Sequence, residues 1–188
     1  MAVSAGSGAT LAPLDFRKIW DGAMSFEDFL TRTRPEHQAL WRGIYRNAKA
    51  PDWAAEMVDG RRLHLLAITE DWCLDTSNTL PFIARVVEAV PGLDLRLILR
   101  DSNAPIMDHF LTDGSRSIPV VIVLDEEFRL VGHWGPRPSE LQAWVMANRP
   151  VLPRPEVVKE ERRWYARDRG ETTVREVLEV ATRTSTPS

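Results

Sequence analysis

The chain of 188 residues contains one cysteine, Cys73, and a single cysteine excludes an intramolecular disulfide. Its longest apolar runs are far shorter than a membrane-spanning helix requires. The amino-terminal residues lack the charged and apolar regions of a secretory signal. We therefore expect a cytoplasmic protein, because a lone thiol suits a reducing compartment and still permits a mixed disulfide with another molecule.

An excess of charge of one sign is also missing. The 24 basic and 27 acidic residues are interspersed and give a formal net charge of −3. Such a mixture produces no broad field that attracts nucleic acid or an anionic membrane, so neither is expected as a partner. Near the carboxyl terminus arginines alternate with acids, and we interpret Glu161, Arg162 and their neighbours as a solvated, ion-paired helix face.

Residue clusters that hold metals or phosphates are not apparent either. The four histidines lack the spacing of a metal site, and no glycine-rich phosphate loop or serine–histidine–aspartate set stands out. The sequence therefore predicts no metal and no bound cofactor. The histidines are His37, His64, His109 and His133.

Hydrophobic periodicity predicts a protein of the α/β class with a core at residues 61–149. Short apolar runs alternate with segments of helical spacing, which is typical of strands joined by helices. Gly60 ends the preceding helical section. The predicted strands are Leu63–Ile68, Leu93–Leu99, Val120–Leu124 and Arg129–Trp134. The predicted helices run over Cys73–Ala89, over Pro105–Leu111 and from about Ser139.

Two extensions flank this core. Residues 1–60 form a helical extension in which Ser25 begins a helix as a capping box, and a tryptophan (Trp20, Trp41 or Trp53) is expected to pack on the core. Residues 150–188 begin with three spaced prolines, which predict a strap that leads away from the core. An amphipathic helix follows, with Thr173 and Glu176 as its capping box.

The corner between the first strand and the next helix has a characteristic sequence. Residues 70–76 are Glu-Asp-Trp-Cys-Leu-Asp-Thr, Pro81 follows inside the helix, a Ser-Ile-Pro triplet ends at Pro119, and Gly135 precedes the last core helix. At these positions the chain resembles the thioredoxins. More narrowly, it is similar to a branch of uncharacterised bacterial thioredoxin family proteins that have a single-cysteine, Cys-x-Asp-x, corner.

The resemblance implies a thioredoxin fold, with a central mixed sheet of four or slightly more strands flanked by helices. It also implies that Cys73 is the attacking cysteine and that Pro119 belongs to a cis-proline loop facing it. Thr76 stands where the resolving cysteine is expected, and Ala67 where thioredoxins bury an aspartate. The chain is therefore not an ordinary dithiol thioredoxin.

The candidate site residues come from the cysteine corner and from the segments that match the thioredoxins. The candidate catalytic residues are Cys73 and Thr76, and the candidate substrate groove is formed by Trp72, Asp75, Ile118, Pro119, Trp134 and Gly135. A helix N-terminus favours a thiolate, and the hydroxyl at i+3 offers a hydrogen bond to it. Nearby acids oppose the thiolate. Structural roles stay open: the helix dipole alone favours an acid at position 75, and packing alone explains the tryptophan before Gly135.

Two functions are compatible with this pattern. In the first, the Cys73 thiolate attacks a disulfide-containing protein or small thiol, and an external thiol such as glutathione acts as co-substrate and resolves the mixed disulfide. In the second, the protein is a redox-inert adaptor that uses the same groove for binding. A peroxidase of the peroxiredoxin kind is a weaker hypothesis, because those proteins carry threonine before cysteine and this chain has the reverse order. The sequence does not predict an oligomeric state.

Overall fold

The computed structural model describes residues 11–182, which form four strands and nine helices. The strands are β1 (Leu63–Thr69), β2 (Leu93–Leu99), β3 (Val120–Leu124) and β4 (Leu130–Trp134). The helices are α1 (Phe16–Gly22), α2 (Phe26–Arg32), α3 (Pro35–Asn47), α4 (Ala54–Val58), α5 (Leu74–Ala89), α6 (Ala104–Met107), α7 (Ser139–Asn148), α8 (Arg154–Asp168) and α9 (Glu171–Thr182).

The strands form one mixed sheet in the order β2-β1-β3-β4. Strand β1 pairs in parallel with β2 and antiparallel with β3, and β4 pairs antiparallel with β3. Helix α5 makes the crossover that a parallel pair requires. Every residue of β3 is buried, because helices cover both faces of the sheet. The predicted α/β fold with a mixed four-stranded sheet is confirmed.

The amino-terminal helices pack on both faces of this sheet. Trp41 of α3 is fully buried among residues of β1 and α5, and its indole N–H donates to the Asp71 carbonyl oxygen at 2.8 Å. Trp20 of α1 packs on the opposite face beside Ile68. The expectation that an amino-terminal tryptophan packs on the core is confirmed, and Trp41 reaches the corner that precedes α5.

The carboxyl-terminal segment does not lead away from the core as predicted. Prolines are tolerated in the first turn of a helix, where an N–H has no partner. Pro153 is the N-cap residue of α8 and Pro155 lies in its first turn. The helix packs on α7 through Trp164, Tyr165, Leu141 and Val145.

The predicted capping box of the last helix is also wrong. Thr173 lies inside α9 and is buried. The preceding acid Asp168 accepts hydrogen bonds from the backbone N–H and hydroxyl of Thr172 instead. Glu176 accepts hydrogen bonds from the Trp134 indole and the Ser139 amide. Across residues 11–182, no helix is both long and apolar enough to cross a membrane.

Candidate functional site

Cys73 lies at the N-cap of α5, where β1 ends and the helix begins. Its Sγ is 3.5 Å from the Ile118 carbonyl oxygen, to which the thiol donates. The Ile118–Pro119 peptide is cis. The structure thus brings the cysteine corner and the loop before β3 into direct contact, although 45 residues separate them in sequence.

A cavity of about 720 Å³ opens beside the sulfur, a volume typical of small-molecule sites. Trp72, Cys73, Asp75 and Ile118 are the residues of the predicted site that line it. The other lining residues are Leu74, Arg100, Ser115, Arg116, Ser117, Arg137, Arg149, Arg154, Val157, Val158, Glu161 and Arg162.

Pro119, Trp134 and Gly135 do not line this cavity, which corrects their assignment to the groove. Trp134 is 6% exposed and its indole N–H donates to Glu176 at 2.7 Å, so the ring is part of the core. Gly135 has a φ of +129°, and a Cβ there would lie 2.1 Å from the Pro119 carbonyl oxygen. The glycine therefore supports the proline loop from behind by allowing a close backbone approach.

Asp75 belongs to a buried charged network. Its carboxylate is 2.6 Å from a guanidinium nitrogen of Arg137 and accepts a hydrogen bond from the Tyr165 hydroxyl at 2.8 Å. Glu161 of α8 lies 3.4 Å from the same guanidinium. Burial raises the pKa of Asp75, whereas Arg137 and Tyr165 oppose that rise. Asp75 thus links α5 to α8, a role that its place in the first turn does not by itself imply.

The environment of Cys73 favours the protonated thiol. The residue is 9% exposed, and burial raises the pKa of the thiol, with the charge of Asp75 adding to the rise. The hydroxyl and backbone N–H of Thr76 oppose it. Thr76 Oγ1 is itself buried and has no hydrogen bond of normal geometry, so this hydroxyl is available to stabilise a thiolate.

The other acids of the corner are held by different partners. Partial burial raises the pKa of Asp71, but hydrogen bonds from Arg34 outweigh this effect and lower the pKa to about 2. Glu70 accepts a hydrogen bond from the Asp101 amide at 2.9 Å. Trp72 is 47% exposed, and the Arg100 guanidinium lies 4.9 Å from its ring centroid. Asp75 is accordingly the acid of the corner that acts on the sulfur.

The sequence patterns did not predict that residues of α8 form part of the cavity wall. Glu161 and Arg162 were assigned to a solvated face, but Glu161 is 5% exposed and both line the cavity. No local sequence pattern predicts a role for Tyr165, because Asp75, to which its hydroxyl donates, is 90 residues away in the chain. The Gly-Pro-Arg-Pro segment at residues 135–138 was compatible with a ligand-facing loop or with simple turn residues, and Arg137 is the residue of this segment that lines the cavity. In the part of the chain that the structure describes, no cluster of histidine, cysteine or acidic side chains is arranged to bind a metal.

Comparison with known proteins identifies the family. The family model described as Thioredoxin matches residues 23–163. A solved structure of a protein of unknown function from Pseudomonas aeruginosa superposes with a TM-score of 0.72 at 22% identity, covering 90% of this chain and 98% of that one. An HIV epitope scaffold gives 0.71 at 20% identity, covering 92% and 100%. These two likenesses show the fold alone, and no curated protein matches. On the family match, the chain belongs to the thioredoxin family.

Proposed function

We propose that the protein exchanges thiols and disulfides through Cys73 alone, with a small thiol such as glutathione as the resolving partner. The observation that supports this most is the position of the sulfur: it lies at the start of α5, in the wall of a cavity large enough for a small disulfide. Within its family we place the chain with the single-cysteine proteins, and we propose that it acts in the cytoplasm.

The reaction has two steps that balance. Cys73 loses its proton to solvent, and its thiolate attacks the R sulfur of a disulfide R–S–S–R′. A bond forms between Sγ and that sulfur while R′–S⁻ leaves and takes a proton from water. In the second step the thiolate of R–SH attacks the R sulfur of the mixed disulfide, R–S–S–R forms, and the Cys73 thiolate is released. One thiol is oxidised as R′–S is reduced.

The residues around the sulfur have different roles in these two steps. Thr76 provides a hydroxyl for the thiolate but no second sulfur, so the second step requires an external thiol. The Ile118 carbonyl oxygen accepts the S–H hydrogen bond at 3.5 Å and holds the resting thiol. Trp72 is exposed at the rim, where it offers an apolar surface to the disulfide-containing protein or small thiol.

One observation favours the second candidate, a redox-inert binding protein. The sulfur is buried, and its raised pKa leaves little thiolate near neutral pH. A protein that used the cavity solely for binding would tolerate such a thiol. The two functions differ in whether the folded protein forms and releases a covalent adduct.

Intact-mass measurement separates them. The folded wild type is incubated with oxidised glutathione and then with an excess of reduced glutathione, and Cys73→Ser is treated identically. Thiol exchange requires one glutathionyl adduct on the wild type, its removal in the second incubation, and no adduct on the variant. If the folded wild type stays unmodified while the same chain in denaturant is modified, the exchange hypothesis is wrong and the adaptor is favoured.

A further inference from the structure

The cavity beside Cys73 is rich in arginine. Six of its sixteen lining residues are arginines and two are acids, whereas the whole chain has a formal net charge of −3. Positive charge is therefore locally concentrated in the wall of this cavity, whereas the charge that acts on the sulfur itself is that of Asp75. The arginines are Arg100, Arg116, Arg137, Arg149, Arg154 and Arg162.

Three of these arginines have carboxylate partners. Arg137 pairs with both acids of the cavity, as described above. Arg116 binds Asp108 at 2.7 Å, and Arg100 binds its neighbour Asp101 at 2.8 Å. Ion pairing within the protein thus accounts for the positions of half of the arginines.

Ion pairing within 4.0 Å does not explain the positions of the remaining three arginines. Within residues 11–182, no carboxylate oxygen lies within 4.0 Å of a guanidinium nitrogen of Arg149, Arg154 or Arg162. All three side chains are exposed; Arg149 is the C-cap of α7, Arg154 begins α8 and Arg162 lies near its middle. Arg154 occupies the first turn of α8, where the helix dipole disfavours a cation. A gain in helix stability therefore does not explain it.

The two acids offset only part of this charge. Arg149 opposes the rise in the pKa of both acids and Arg154 opposes that of Glu161, each from beyond 4.0 Å. Asp75 and Glu161 are 5% exposed and share Arg137 between them. The unpaired arginines lie on the α7–α8 side of the same cavity, so they leave an excess of donors facing its interior. Guanidinium groups bind carboxylates with two parallel hydrogen bonds, and Arg is preferred over Lys for that geometry.

Resting on the proposed thiol exchange, we infer that the cavity selects small disulfides and thiols that carry two or more carboxylates, bound by Arg149, Arg154 and Arg162. The carboxylates lie against α7 and α8, while the sulfur of the ligand meets Cys73 at the start of α5. Disulfides of the same size without negative charge enter the cavity but lack this attraction.

A charge series of small disulfides tests the inference. The rate of adduct formation on folded wild type is measured by mass spectrometry with dithiodipropionate, bis(hydroxyethyl) disulfide and cystamine, which carry negative, zero and positive charge. Each rate is divided by the rate for the chain unfolded in denaturant, which removes differences in intrinsic reactivity. The expected order is negative, then neutral, then positive, and raising the salt concentration reduces the spread. A flat or reversed order overturns the inference.

Matched variants locate the selectivity. The double variant Arg154→Gln/Arg162→Gln is expected to lower the rate with dithiodipropionate about tenfold more than it lowers the rate with the neutral disulfide. Arg163→Gln/Arg167→Gln removes the same charge from α8 at residues that do not line the cavity, and it should change neither rate. Equal losses in the two double variants overturn the inference, because they show a general effect of net charge.

Failure of the proposed function is distinguishable from failure of this inference. If none of the three disulfides modifies the folded protein, thiol exchange is wrong, and dithiodipropionate is titrated into Cys73→Ser by calorimetry. Binding that Arg154→Gln/Arg162→Gln abolishes in that background supports the carboxylate site, and no binding overturns it. If adducts form at equal normalised rates, thiol exchange stands and the carboxylate selectivity is wrong.

Discussion

The hydroxyl of Tyr165 donates a hydrogen bond to Asp75 Oδ1 at 2.8 Å and thereby ties α8 to the first turn of α5. Tyr165 is 4% exposed and Asp75 is 5% exposed, so the bond lies out of water. The same carboxylate holds Arg137 and raises the pKa of the neighbouring thiol. One buried contact therefore connects α8 to the helix that begins at the residue proposed to react.

Removing that contact should destabilise the protein. We expect Tyr165→Phe to lower the free energy of unfolding by about 2 kcal/mol, because it leaves a buried carboxylate short of a donor. Urea unfolding measures the change. Tyr45→Phe is the control, since the Tyr45 hydroxyl bonds the exposed Glu88 carboxylate, and its loss should cost less than about 0.5 kcal/mol. Equal costs for the two variants would show that the Asp75 contact contributes nothing special.

The charge of Asp75 should set the reactivity of the thiol. Asp75→Asn removes a negative charge that raises the pKa of Cys73, so more thiolate exists at neutral pH. We expect alkylation by iodoacetamide to accelerate roughly three- to tenfold there, with the pH profile shifted to lower pH. Asp71→Asn serves as the control, because Arg34 holds that acid, and it should leave the profile unchanged. A profile that Asp75→Asn does not move would contradict this electrostatic account.

The Arg34–Asp71 pair should contribute to stability above about pH 4. The pKa of Asp71 is lowered to about 2 in the folded protein, so the folded state disfavours its protonation. This contribution, on the order of 1 kcal/mol because solvent screens the half-exposed Arg34, is lost as the pH falls from about 4 to about 2.

Urea unfolding across that pH range checks this loss. Arg34→Gln should show a shallower decline than wild type, because the variant lacks the contribution at every pH. Arg42→Gln is the control, since Arg42 contacts Glu27 at 3.8 Å between exposed side chains, and it should decline as the wild type does. Parallel curves for Arg34→Gln and wild type would refute the assignment of the shift to Arg34.

The close approach at Gly135 should not tolerate a side chain. A Cβ there would lie 2.1 Å from the Pro119 carbonyl oxygen, so Gly135→Ala must move the loop that contacts Cys73. We expect a destabilisation of about 3 kcal/mol or more, measured by urea unfolding. Gly43→Ala, in α3 with open space around its Cα, should instead stabilise the fold by up to about 1 kcal/mol. A neutral Gly135→Ala would mean that the proline loop does not depend on this contact.

The sequence predicts the sheet well because its signals are local. The apolar runs at Leu93–Leu99 and Val120–Leu124 match the observed strands residue for residue. The predicted helix at Pro105–Leu111 is confined to Ala104–Met107, since so short a stretch spans too few helical turns for its periodicity to fix the helix end. The contact between Cys73 and the proline loop was predicted from the resemblance to the thioredoxins, because hydrophobic periodicity does not indicate which loops meet.

Local sequence patterns could not predict that α8 forms a wall of the cavity. Helical spacing shows which residues share a face, but not what that face meets, so the alternating charges around Glu161 appeared solvated. The spaced prolines predicted a departing strap, but Pro153 at the N-cap and Pro155 in the first turn of α8 are equally compatible with a helix start. The arginine cluster forms only when Arg100, Arg137 and Arg162 are brought together by the fold, and the balanced overall charge concealed it.

Turnover tests the central claim most directly. The mixed disulfide of glutathione and mercaptoethanol is supplied with reduced glutathione, and the formation of oxidised glutathione is followed with wild type, with Cys73→Ser and without protein. The account predicts a rate above the uncatalysed background for wild type and a background rate for Cys73→Ser. Equal rates for the two folded proteins would contradict it.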